Sequence, residues 1–190
     1  MLNILYIDST VPPDLNQKVD RAQWAKLKQA RFTCACCGYQ SAPSESVLSG
    51  FMQVVNKEVL CAICASALQL QRPVRNLANH GFIIMASDLS QSEVTSLSRE
   101  IGFAILSGDS ARRERAETVF EQLLESEITH SDFQFLTEEE PQTCAEMAVG
   151  LTVISSLNRN EYAKYFKDLR YVPNFVAFSH IYEYWSKTSS

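Results

Sequence analysis

Cys34 and Cys37 stand three positions apart in "RFTCACCGYQ", and Cys61 and Cys64 repeat that spacing in "VLCAICASAL". Twenty-three residues separate the two pairs. Thiolates are soft ligands, and two C-x-x-C pairs at this separation suit a tetrahedral site for one Zn2+. In C-x-x-C-G the chain turns tightly, both sulfurs reach one side, and Gly38 accepts the left-handed conformation that follows. The second pair precedes a helix-forming run, "ASALQLQ", whose first turn favours thiolates through the helix dipole. Two other readings use the same residues: a redox pair of the thioredoxin kind, or free cysteines that only pack. The redox reading wants a βαβ surrounding, which neither motif has. Cys36, inside the first pair, is expected to point away from the metal; exchanging it for Cys37 gives a less regular spacing. Cys144 falls on the inner stretch of a predicted helix and reads as core.

Four thiolates close a coordination shell, whereas a catalytic zinc keeps one position for water. The expected metal at Cys34, Cys37, Cys61 and Cys64 is therefore one structural Zn2+. Such sites contribute on the order of 10 kcal/mol or more to folding. A hairpin between the cysteine pairs completes a treble-clef shape, and residues 51–60, "FMQVVNKEVL", hold enough β-branched side chains for one of its strands. This arrangement resembles the HNH endonuclease scaffold. There, cutting uses a His general base and a second metal held between the cysteine pairs. Here no histidine lies between Cys37 and Cys61; the three in the chain are His80, His130 and His180. Without a base to activate water and a metal to stabilise the leaving oxygen, phosphodiester cleavage has no engine. No phosphate-binding glycine loop or nucleophile elbow occurs either. The chain is read as a non-enzyme.

The elements that must position the cysteines are legible in outline. Residues 1–7 read as a strand, not as a leader peptide, and "VPPD" as a turn. Residues 15–30 carry a helical pattern with Val19, Ala22, Trp24, Leu27 and Ala30 near one face. Residues 72–81 read as a connector and "GFIIMAS" as a short strand. Ser90 followed by Glu93 is a capping-box signature. It opens a helix to about residue 107 with Val94, Leu97, Ile101 and Ala104 inward, and Gly108 stops it. Further helices are predicted over 110–127 (Ala116, Val119, Phe120, Leu123 and Leu124 inward), 141–157, 161–169 and 175–186. The fold class is α+β: an HNH-like, treble-clef zinc-binding unit over residues 1–75, packed with a small helical bundle over residues 76–190 as one body.

Charge narrows the partners. Residues 1–80 carry 8 Lys and Arg against 5 Asp and Glu, and residues 81–190 carry 9 against 17. The weak basic excess does not announce a nucleic-acid surface, and the acidic second part repels a phosphate backbone. No run approaches 18 apolar residues, and the cytoplasm, where thiols stay reduced, is the expected compartment. Aromatics crowd the last 30 residues. At helical spacing they read first as core and second as a groove for a partner.

A family resemblance rests on the order of four segments: "RFTCACCGYQ", "CAIC", "FIIMASDLSQSEVTSLSREIGFAI" and "YFKDLRYVPNFVAFSHIYEYW". The cysteine pairs are common to many zinc folds. The S-Q-x-E-[VL] helix start and the F-x-x-[LI]-R-[YL]-[VL]-P segment are more specific. Together they resemble the IcmJ/DotN proteins of Dot/Icm-type type IV secretion systems. The resemblance implies an HNH-like fold with a structural zinc and no nuclease function, its ligands matching Cys34, Cys37, Cys61 and Cys64. It also implies an adaptor subunit of the type IV coupling complex. Such a subunit binds the C-terminal extension of the coupling ATPase, together with adaptor subunits, at the cytoplasmic face of the inner membrane. An HNH-derived DNA-binding protein or nuclease is the alternative.

Overall fold

A computed structural model describes residues 20–45, 47–68, 81–127 and 168–188. Helix α1 (Arg21–Gln29) starts at Asp20, whose carboxylate accepts a hydrogen bond from the Gln23 N–H at 2.7 Å. This cap satisfies one of the open donors of the first turn. The periodic pattern placed the helix start at residue 15. Asp20 instead has extended backbone, so the helix begins at Arg21, and residues 15–19 lie outside the described residues. Leu27 is buried, and Trp24 meets Phe32 edge to face at 5.5 Å. The helix ends as Arg31 and Phe32 both turn to a φ of +52°. Left-handed backbone is costly for residues with a Cβ. Burial of the Phe32 ring offsets that cost.

A tight loop follows, closed by a bridge between Thr33 and Gln40. Inside it the Cys34 N–H donates to Tyr39 O at 2.8 Å and the Gly38 N–H to Cys34 O at 2.9 Å. Gly38 has a φ of +70°, the conformation its lack of Cβ makes inexpensive.

Residues 51–60, expected to supply one strand, supply two. Strands β1 (Met52–Val55) and β2 (Glu58–Cys61) pair antiparallel, with Val55 opposite Glu58. Only Asn56 and Lys57 lie between them, at φ of +50° and +70°. Two successive positive φ values make a type I′ hairpin, and Asn is a favoured residue there. The Ala35 N–H donates to Val59 O at 2.8 Å, which docks the cysteine loop on the hairpin. Helix α2 (Ala62–Leu68) follows β2 directly, and Ala62, Ile63, Cys64, Ala65 and Ala67 are all buried.

Strand β3 (Gly81–Met85) pairs antiparallel with β4 (Leu169–Pro173). This corrects the expectation of helix through residue 169: Leu169 pairs with Met85. Helix α3 (Gln91–Leu106) starts at Ser90 with the full reciprocal capping box to Glu93. Val94, Ile101 and Ala104 are buried as their spacing requires, and Leu97 packs at the edge. Helix α4 (Ser110–Glu125) is capped by Asp109 and ends two residues before the expected limit. Ala116, Val119, Phe120 and Leu123 face α3, but Leu124 is exposed. It sits past the stripe that α3 covers.

Helix α5 (Ser179–Thr188) starts four residues later than its pattern suggested, because residues 175–178 form a turn. Phe178, Ile181, Tyr182 and Trp185 enter one core cluster with Leu27, Phe32, Leu60, Ile63 and the buried cysteines. This core draws on residues from both ends of the described chain. The 75/76 boundary, the strand over 1–7, the helices over 141–157 and 161–167, Cys144, His80 and His130 lie outside the described residues. Among the described residues no helix is long and apolar enough to cross a membrane.

A candidate metal centre

The tight loop brings Cys34 and Cys37 to the end of the β1–β2 hairpin, where Cys61 closes β2 and Cys64 occupies the first turn of α2. The four Sγ atoms lie within 4.8 Å of one another. Among the described residues this is the one group of three or more His, Cys, Asp and Glu side chains able to hold a metal ion. A tetrahedral ion with bonds of about 2.3 Å to sulfur holds its sulfurs about 3.8 Å apart. The Cys37 and Cys61 sulfurs are separated by 3.8 Å. The donor set and its spacing therefore fit one thiophilic cation, and four sulfurs complete its shell.

Local hydrogen bonding orients the sulfurs. The Cys64 N–H points at the Cys61 sulfur at 3.4 Å. Hydrogen bonds from Cys37 first, then from Cys61 and Cys64, hold the Cys34 thiol far below its ordinary range, against its burial. The thiols of Cys61 and Cys64 are pushed well up, chiefly by their hydrogen bonding to Cys34 and also by burial. Packed thiols resist ionising together, and a shared cation removes that resistance. Cys34, Cys61 and Cys64 are buried, and Cys37 is half-buried. Cys36 stands outside the four-sulfur group, although its thiol remains in reach of that of Cys64.

Other residues complete the surroundings, among them Arg99 and Ser92, which carry no sequence signal. Arg99, 62 positions beyond Cys37, directs Nη1 at the Cys37 sulfur at 3.6 Å. Its guanidinium also lies over the Tyr39 ring, 4.8 Å from the centroid. Tyr39 in turn rests against Trp185 at 4.5 Å. The Ser92 hydroxyl donates to Cys36 O at 2.9 Å. The Trp185 Nε1–H and the Ser41 hydroxyl both donate to Gly50 O, at 3.1 and 2.6 Å. Gly50 has a φ of +59°, and a Cβ there would fall 2.6 Å from Ser41 Oγ. The Tyr184 hydroxyl donates to Ala42 O at 2.6 Å.

His180 is exposed, with its ring 5.6 Å from that of Phe51, and among the described residues it belongs to no ligand group. Of the crowded C-terminal aromatics, Tyr171, Phe178, Tyr182 and Trp185 are core, while Phe175 and Tyr184 are half-buried. Compared with known proteins, the chain matches no family model, and no curated protein is significantly similar to it.

Proposed function

We propose that this chain is a non-enzymatic adaptor whose cysteine unit is held in shape by one structural Zn2+. The observation that carries the reading is the closed group of four sulfurs within 4.8 Å. Cys34, Cys37, Cys61 and Cys64 would hold the ion. When bound, it supplies the cross-link between loop, hairpin and helix, and no position remains for a reacting water. The order of tight loop, β1–β2 hairpin and α2 supports a treble-clef, HNH-like description of this unit. Zinc is the favoured ion because four thiolates in a tetrahedron are its commonest structural shell.

The order of the cysteine, α3 and C-terminal segments carries the further resemblance to the IcmJ/DotN family. On that resemblance the partner is the C-terminal extension of a type IV coupling ATPase, with its adaptor subunits, at the cytoplasmic face of the inner membrane. The acidic balance of residues 81–190 favours a protein partner over nucleic acid.

Two measurements test the reading. Metal analysis of the chain, purified without chelators, is expected to find close to one zinc per chain; a value far below one rejects the metal. Affinity purification from the native host is expected to bring down a membrane-anchored ATPase in near-equal amount. Recovery of nucleic acid without an ATPase rejects the adaptor reading in favour of an HNH-derived DNA-binding protein.

A further inference from the structure

Four thiolates around a divalent cation leave two negative charges in excess. A buried excess charge is costly unless something nearby neutralises it. Among the four cysteines only Cys37 reaches toward solvent, so it is the ligand that water, a proton or a competing chelator meets first. Arg99 sits on that ligand. Its side chain is only 13% exposed, its Nη1 is 3.6 Å from the Cys37 sulfur, and its guanidinium is fixed over Tyr39. The Tyr39 carbonyl accepts the Cys34 N–H, so the surface on which Arg99 rests is part of the cysteine loop itself. Among the described residues Arg99 also has an ionic neighbour in Glu100, at 3.8 Å from Nε and 59% exposed. A carboxylate that open to water screens the guanidinium weakly.

Ser92 and Arg99 are two helical turns apart and therefore lie on one face of α3. Ser92 holds the Cys36 carbonyl and Arg99 holds the Cys37 sulfur, so α3 grips the cysteine loop at two adjacent residues. We infer that Arg99 is a clamp on the metal centre. It neutralises and covers the one ligand that reaches the surface, and it makes metal retention depend on the docking of α3. The coupling is reciprocal: a bound metal also favours the docked helix. This inference rests on the zinc reading above.

The test is the rate at which the full zinc-bearing chain surrenders zinc to the chromogenic chelator 4-(2-pyridylazo)resorcinol. Arg99→Met keeps the apolar stem and much of the contact with Tyr39 but removes the charge and the donor. Loss of groups that hydrogen-bond to metal ligands weakens metal binding about 10–100-fold. Arg99→Met is expected to release zinc about tenfold faster or more, with the far-ultraviolet circular dichroism of the wild type. Ser92→Ala, which loosens the helix but leaves the charge, is expected to change the rate far less. Should Arg99→Met fail to fold, Arg99→Gln is read in the same way. Release at the wild-type rate overturns the role of Arg99. So does a Ser92→Ala variant as fast as Arg99→Met, because docking alone then accounts for retention. A wild-type chain that carries no zinc instead overturns the underlying reading.

Discussion

The Gln91 side chain pairs with the main chain of Tyr171 as if it were another strand. Its Nε2 donates to Tyr171 O at 2.7 Å, and its Oε1 accepts from the Tyr171 N–H at 2.8 Å. Gln91 is 1% exposed, and its amide also donates to Thr95 Oγ1 at 3.3 Å. One amide thus satisfies both polar groups of a buried strand residue 80 positions away and fastens α3 to β4.

Gln91→Leu keeps the volume and removes both of these buried hydrogen bonds to the Tyr171 main chain. Breaking a buried hydrogen bond by removing one partner costs about 1–3 kcal/mol. The variant is expected to lose about 2–5 kcal/mol in chemical denaturation. A loss within the range of ordinary surface substitutions, about 0.5 kcal/mol, removes Gln91 from the account of how the β3–β4 sheet is held.

Cys36 and Cys64 make a controlled pair. Cys64→Ala removes one of the four clustered sulfurs, and its zinc content is expected to drop well below that of the wild type. Cys36→Ala is expected to keep it, because Cys36 stands outside the cluster. Metal content measured on both variants decides between them. A Cys36→Ala chain depleted of zinc means that the ligand set has been misassigned.

Tyr182 is 1% exposed, and among the described residues its hydroxyl meets no hydrogen-bond partner. Burial pushes its phenol upward, so it stays neutral. Its ring lies against Gly102, where a Cβ would come within 2.9 Å of it. Tyr182→Phe keeps the ring and removes the hydroxyl. Thermal unfolding is expected to be unchanged or shifted upward, by up to about 1–3 kcal/mol of stability. A marked loss of stability means that the hydroxyl contributes to the fold after all.

Glu93 gives an acid dependence with a definite sign. The Ser90 hydroxyl and then the Ser90 N–H hold its carboxyl below the usual value of 4.5. A depressed folded value stabilises the native state above the unfolded value, and the contribution disappears as pH falls through the folded one. Glu93→Gln is expected to flatten the dependence of the melting temperature on pH below about 4.5. Parallel profiles for variant and wild type count against the capping box as a source of acid sensitivity.

What the sequence by itself determined is local. The C-x-x-C spacing set which sulfurs sit side by side within each pair, because two intervening residues make one turn with both thiols on one side. Ser90 and Glu93 set the start of α3, because a capping box needs only residues three apart. The apolar period of α3 named its buried face. Where a single element was read a few residues wide of its mark, a neighbour decided: Asp20 capped α1 late, and Asn56 and Lys57 folded one expected strand into two. The position of Leu169 depended on distance. Its surroundings read as the end of a helix, and only pairing with Met85, far away in the chain, makes it a strand. Arg99 carries the same lesson at the candidate site. Nothing within its own helix distinguishes it from an exposed arginine. Packing of α3 across the cysteine loop puts its charge on Cys37. Spacing decides which groups a short segment presents; only the folded packing decides which distant charge, ring or amide arrives to meet them.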